Sequence, residues 1–119
     1  MKWFWQRKKK VSLQAYEGKN VFLYEETSSP YESILIRAVV KEGRLCVEDA
    51  ELDHDSFGWS RRVYQFDMRN TKKLFALLME QGDDPYAVMS SMIDYNTRMR
   101  KIKEMCKQNG IEYKDTLYY

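Results

Sequence analysis

The stretch SILIRAVVKEGRLCVE, Ser33 to Glu48, decides how this chain folds. Ile34, Ile36, Ala38 and Val40 alternate with Leu35, Arg37 and Val39, a period of two that an extended strand turns into two faces. Because Leu35 and Val39 are apolar as well, the strand reads as central and buried on both sides. Glu42 and Gly43 supply a two-residue turn. Arg44 to Glu48 then returns with Leu45 and Val47 alternating against Cys46 and Glu48, the pattern of an antiparallel hairpin.

On the N-terminal side, Val21 to Glu25 is rich in β-branched and aromatic residues and predicts another strand. Thr27, Ser28, Ser29 and Pro30 form a turn after it. On the C-terminal side, Asp49 to Ser60 is polar and acidic and contains Gly58, which predicts a long loop carrying Phe57 and Trp59. Arg61 to Met68 alternates again, with Tyr64, Phe66 and Met68 on an inward aromatic face. The pattern then becomes helical. Asn70 or Thr71 can serve as N-cap, Leu74, Leu77 and Leu78 with Phe75 form an apolar stripe, and Gly82 ends the helix.

Asp83 or Asp84 caps a second helix whose first position is Pro85, where the missing N–H costs nothing. This helix is expected to reach about Gln108, before Asn109 and Gly110, and so to be roughly 36 Å long. Val88, Met92, Tyr95, Met99, Ile102 and Cys106 follow alternating spacings of four and three. Such a helix either packs across the sheet or protrudes and meets another chain through a short heptad seam. Ile111 to Tyr119 reads as an edge strand or an ordered tail.

The expected fold is one α+β domain spanning residues 1–119, with a basic, aromatic tail over about 1–12. Its antiparallel sheet of about three to five strands is packed on one face by two C-terminal helices, the second long. Leu35, Ile36, Val39, Tyr64, Phe66, Leu74, Leu77, Leu78, Met92 and Met99 are the expected main core.

Composition narrows the function classes. With 44% hydrophobic and 14% aromatic residues in 119, the chain can bury a core of its own and is not of low complexity. No run approaches the roughly 18 apolar residues of a membrane span, and no signal-peptide pattern opens the chain, so a cytoplasmic location is expected. Cys46 and Cys106 lack vicinal partners and read as reduced core thiols. The charge is uneven. Residues 1–20 hold six Lys/Arg against one Glu, residues 21–60 hold three against nine Asp/Glu, and residues 61–119 hold eleven against eight. An acidic middle argues against a nucleic-acid grip over the whole surface, which needs a continuous basic footprint.

No constellation of nucleophile and base, no phosphate-cradling loop and no separated carboxylate pair can be assembled around the single histidine, His54, so no enzyme and no cofactor are expected. The carboxylates near His54 lack the spacing of a calcium loop, and no metal site is assigned. The feature with most binding character is the acidic run Glu48, Asp49, Glu51, Asp53 and Asp55, which ends beside Phe57 and Trp59. Carboxylates there can steer a basic protein and an aromatic can anchor it, unless Phe57 and Trp59 fold back into the core. Trp3, Phe4 and Trp5 beside Arg7 and Lys8 to Lys10 have the make-up of a membrane-surface contact, or of a tail that packs on the sheet edge. Arg98, Arg100, Lys101, Lys103 and Lys107 are read as complementing the negative end of the long helix.

The succession of the strand at Ile34, Leu35 and Ile36, the Gly43 turn, the strand from Leu45 to Val47, the aromatic strand from Tyr64 to Phe66 and the helix at Leu74 to Leu78 resembles small uncharacterised bacterial α+β proteins of the toxin-immunity type. The resemblance covers about residues 33–80 and is one of element types. It implies a stoichiometric protein partner and no chemistry of its own; together with the acidic segment, the leading expectation is a monomer or homodimer that blocks a basic toxin domain, such as a nuclease, through the Glu48 to Trp59 region. The alternative is a small adaptor that binds nucleic acid or an anionic membrane through its basic N-terminus and late helix.

Overall fold

The computed structural model describes residues 12–29, 32–53 and 58–118, except for the side chains at 28, 29, 53 and 59. Five strands form one antiparallel sheet in sequence order: β1 Val21–Ser29, β2 Glu32–Lys41, β3 Arg44–Asp53, β4 Gly58–Gln65 and β5 Lys114–Tyr118. Three helices lie between β4 and β5: α1 Met68–Met79, α2 Pro85–Ser91 and α3 Arg100–Gln108. The class is α+β as the sequence indicates, but with three helices in place of two.

The β2–β3 hairpin closes on the expected two-residue turn, with Lys41 opposite Arg44. Both central residues have positive φ, 55° at Glu42 and 73° at Gly43, the handedness that matches the twist of the flanking strands. Glycine takes this conformation without strain, whereas Glu42 does not. The Glu17 carboxylate holds the turn by accepting the backbone N–H groups of Glu42 and Gly43 at 2.6 and 3.1 Å. A Cβ at position 43 would also lie 2.7 Å from the Met68 Cε.

One face of β2 is completely buried: Ile34, Ile36, Ala38 and Val40 join Leu45 and Val47 of β3 against Leu74, Phe75 and Leu78 of α1, Met89 of α2, and Ile102 and Cys106 of α3. A 3-10 turn, Leu13–Tyr16, closes one seam of this core, with the Tyr16 ring edge-on to Phe75 at 5.0 Å and to Tyr86 at 5.7 Å. Thr71, fully buried in α1, accepts the Leu45 backbone N–H at 2.9 Å and so ties the helix to β3.

Several expectations change. Of the predicted core, Ile36, Tyr64, Phe66, Leu74, Leu78 and Met99 are buried, whereas Leu35, Val39, Leu77 and Met92 are half-buried. The helices cover only one side of β2, so Leu35 and Val39 project from the other. Cys46 shares that open side. Cys106 is buried, and burial pushes its thiol up to about 11. The N-cap of α1 is Asp67, which accepts the Asn70 N–H at 2.8 Å; Asn70 instead accepts the Glu112 N–H through Oδ1, and Thr71 is engaged with β3. Asp84 caps α2 ahead of Pro85, as the sequence indicates.

The polar stretch after Glu48 is mostly strand, since β3 continues to Asp53 and β4 begins at Gly58. The long second helix is two short ones. Asp94 accepts the Thr97 N–H and hydroxyl at 2.7 and 3.0 Å, which turns the chain after α2, and Arg98 takes a left-handed φ of 48° before α3. The alternating apolar spacings therefore serve two helices that fold onto one core. Residues 111–119, expected as an edge strand or a tail, supply the edge strand β5 beside β4.

Candidate partner-binding surface

The side of the sheet away from the helices carries a row of polar contacts with apolar ground at either end. Arg37 of β2 faces Glu48 of β3, and the Glu48 carboxylate bridges two guanidinium groups, Arg37 at 3.3 Å and Arg61 of β4 at 3.0 Å. Arg61 in turn stands 4.9 Å from the centroid of the Tyr118 ring on β5. Phe22, paired with Arg37 from β1, is 62% exposed, which no other large apolar side chain among the described residues exceeds.

At the end of the sheet formed by β1, β2 and β3, a shallow groove of about 420 Å³ has Leu35, Ala50 and Leu52 along its floor and wall, with Glu25, Glu26 and Glu51 among its lining residues. Glu26 accepts the Tyr24 hydroxyl at 2.7 Å, and that hydrogen bond is the main reason the Tyr24 phenol is pushed up to about 12. At the opposite end, a second hollow of about 450 Å³ lies between Val39, Cys46, Lys41, Arg44 and Lys114. Glu25 thus stands at one end of this face, and Lys41, Arg44 and Lys114, with Asp67, line the hollow at the other. Burial, and after it the nearby Glu48 carboxylate, raises the Cys46 thiol above its ordinary value, so at neutral pH it is a protonated, weakly polar member of this face.

The period of two divides the carboxylates that the sequence places in a single run. Glu48 lies on the helix-free side, held by Arg37 and Arg61. Asp49 and Glu51 turn toward the helices, where Arg98 from the α2–α3 connection pairs with both, with Glu51 at 3.4 Å. Asp49 is buried, and its charge is met inside the molecule. Asp53 ends β3, Trp59 pairs with Leu52 across β3 and β4, and His54, Asp55 and Phe57 lie outside the described residues, as do Trp3, Trp5 and Lys8 to Lys10. Among the described residues, no group of three or more His, Cys, Asp or Glu is placed to hold a metal ion, and no helix is long and apolar enough to cross a membrane.

Comparison with models of protein families, with curated proteins and with solved structures finds no match to this chain. The surface must be read from its own chemistry. Sequence reasoning misses Phe22, Glu25 and Leu52, because a strand with apolar residues on both faces does not say which face the helices take. One signal was present: the Ile34 face of β2 is unbroken, while Arg37 interrupts the Leu35 face.

Proposed function

We propose that this protein is a non-catalytic binding module of the immunity or antitoxin type, whose helix-free sheet face engages a basic protein such as a toxin domain. The observation that carries the reading is the apolar groove at Leu35, Ala50 and Leu52 with Glu25, paired with Leu35 across β1 and β2, beside it. An apolar patch with a charged rim is the usual construction of a protein-binding surface, the patch giving duration and the rim steering encounter. The rest of the acidic segment, Asp53, Asp55, Phe57 and Trp59, directly follows Leu52 in the chain.

The experiment is to isolate the partner by affinity capture and measure its association with wild type, Glu25→Lys and Leu52→Asp by surface plasmon resonance. Glu25→Lys is expected to slow association and flatten its salt dependence. Leu52→Asp is expected to speed dissociation about tenfold, the effect of losing about 1.4 kcal/mol of apolar contact. An acidic partner, or a basic one that binds both variants as it binds wild type, refutes the reading.

A further inference from the structure

Once the long helix is divided, the helix dipole accounts for Lys107 but not for Arg100 or Lys103. Cations complement a dipole in the last turn, where α3 has only Lys107. Arg100 and Lys103 stand in the first turn, where the dipole disfavours them. Among the described residues, none of Arg100, Lys103 and Lys107 forms an ion pair. All three line one groove of about 570 Å³ between α3 and residues 111–113, a size within the range of small-molecule sites. At positions i, i+3 and i+7 they follow one side of the helix, spaced about 4.5 and 6 Å along its axis.

The opposite wall is formed by Ile111, Glu112 and Tyr113. Ile111 is buried at its base, and the Tyr113 ring lines the groove while packing against Phe66 at 5.2 Å and Tyr64 at 5.7 Å. Lys103 places its ammonium 5.6 Å from the Tyr64 ring centroid, which holds that cation beside the aromatic wall. Glu104 and Glu112 also line the groove, so it is selective in charge placement and not uniformly basic.

We infer that this groove binds a phosphate-bearing planar ligand, a nucleotide that is either free or part of a single-stranded nucleic acid. A row of cations facing an aromatic ring matches a phosphate joined to a flat base, since the cations take the charge and the ring stacks on the base. The acidic residues 21–60 do not oppose this, because the lining comes only from residues 100–113. The site is separate from the sheet face and stands whether or not that face binds a basic protein.

The test uses the full chain with two probes, a fluorescent single-stranded dodecathymidylate followed by anisotropy and adenosine monophosphate followed by NMR shifts of the Tyr113 ring. Arg100→Glu with Lys107→Glu is expected to weaken oligonucleotide binding about tenfold or more and to lower the slope of log affinity against log salt by about 1.4. Tyr113→Leu, with folding checked by circular dichroism, is expected to weaken it about fivefold. Lys72→Glu with Lys73→Glu on α1, outside the groove, is the control and should change it less than threefold. If the monophosphate shifts Tyr113 and displaces the strand, the ligand is a free nucleotide; if only the strand binds, it is single-stranded nucleic acid. The inference fails if neither probe binds at low salt, if the Arg100 and Lys107 changes have no effect, or if the α1 control weakens binding as much as they do.

Discussion

Arg98 carries more of the tertiary structure than its place in a short connection suggests. Its backbone is left-handed, a conformation that a long L side chain adopts when its surroundings hold it there. Asp49 and Glu51 provide that hold. Burial alone would lower the Arg98 pKa, but the hydrogen bond and charge of Asp49, followed by the charge of Glu51, outweigh it and raise the value. Arg98→Met would leave Asp49 buried and unpaired. Fully enclosed pairs cost several kcal/mol to break this way, but the Arg98 side chain is 27% exposed and water screens part of the effect, so about 1–3 kcal/mol is expected. Urea unfolding measures it. Replacing both partners, Asp49→Leu with Arg98→Met, should recover most of the loss, and an unchanged midpoint for Arg98→Met alone would show that the pair contributes nothing.

At the scale of elements, two carboxylates terminate or turn the helical segments. Asp67 caps α1, and the Asn70 backbone N–H is the main cause of its lowered pKa. Asp94 turns the chain after α2 and is lowered chiefly by the Thr97 backbone N–H, then by the Thr97 hydroxyl. A carboxyl whose folded pKa lies below the unfolded value of about 3.9 stabilises the fold above that pH and loses its contribution as the pH falls through the folded value. Asp67→Ala and Asp94→Ala should therefore each melt below wild type at pH 7, with the gap closing toward pH 2. Thermal unfolding by circular dichroism at both pH values checks this. A gap that stays constant would mean the side chains act through packing and not through charge. The capping carboxylate of α1, Asp67, precedes both N-cap candidates that the sequence suggests, because Asn70 and Thr71 are engaged with residues far away in the chain.

Across the whole molecule, the uneven charge of the sequence becomes a separation in space. Of the acidic residues between 21 and 60, Glu25 stands beside the groove on the helix-free face, Glu48 is held between Arg37 and Arg61 in the middle of that face, and Asp49 and Glu51 turn inward to Arg98. Arg100, Lys103 and Lys107 of α3, which form no ion pair among the described residues, line a different groove. Substitutions at sites that share no partner act independently. Glu25→Lys with Leu52→Asp should accordingly leave oligonucleotide affinity within about twofold, and Arg100→Glu with Lys107→Glu should leave the affinity of the basic protein partner within about twofold. Measuring both affinities on both double variants tests the separation. If each pair of changes weakened both interactions, the two surfaces would act as one.

Local periodicity and turn chemistry determined which segments extend and which coil. The alternation at Ile34 to Val40, the Glu42–Gly43 turn, the stripe at Leu74 and Leu78 and the Asp84–Pro85 start of α2 all depend on interactions within a few residues, and such interactions are written in the order of the chain. Tertiary structure alone decided what depends on distant partners. Asp49 and Glu51 remain in a strand because Arg98, nearly fifty residues later, meets their charge. The pattern from Val88 to Cys106 is broken because Ile93, Met99 and Ile102 all reach one core when the chain turns at Asp94. Leu35 and Val39 are only half-buried because the helices between β4 and β5 cover a single face of the sheet, and apolarity in the sequence records a residue's affinity for burial without recording what is available to bury it.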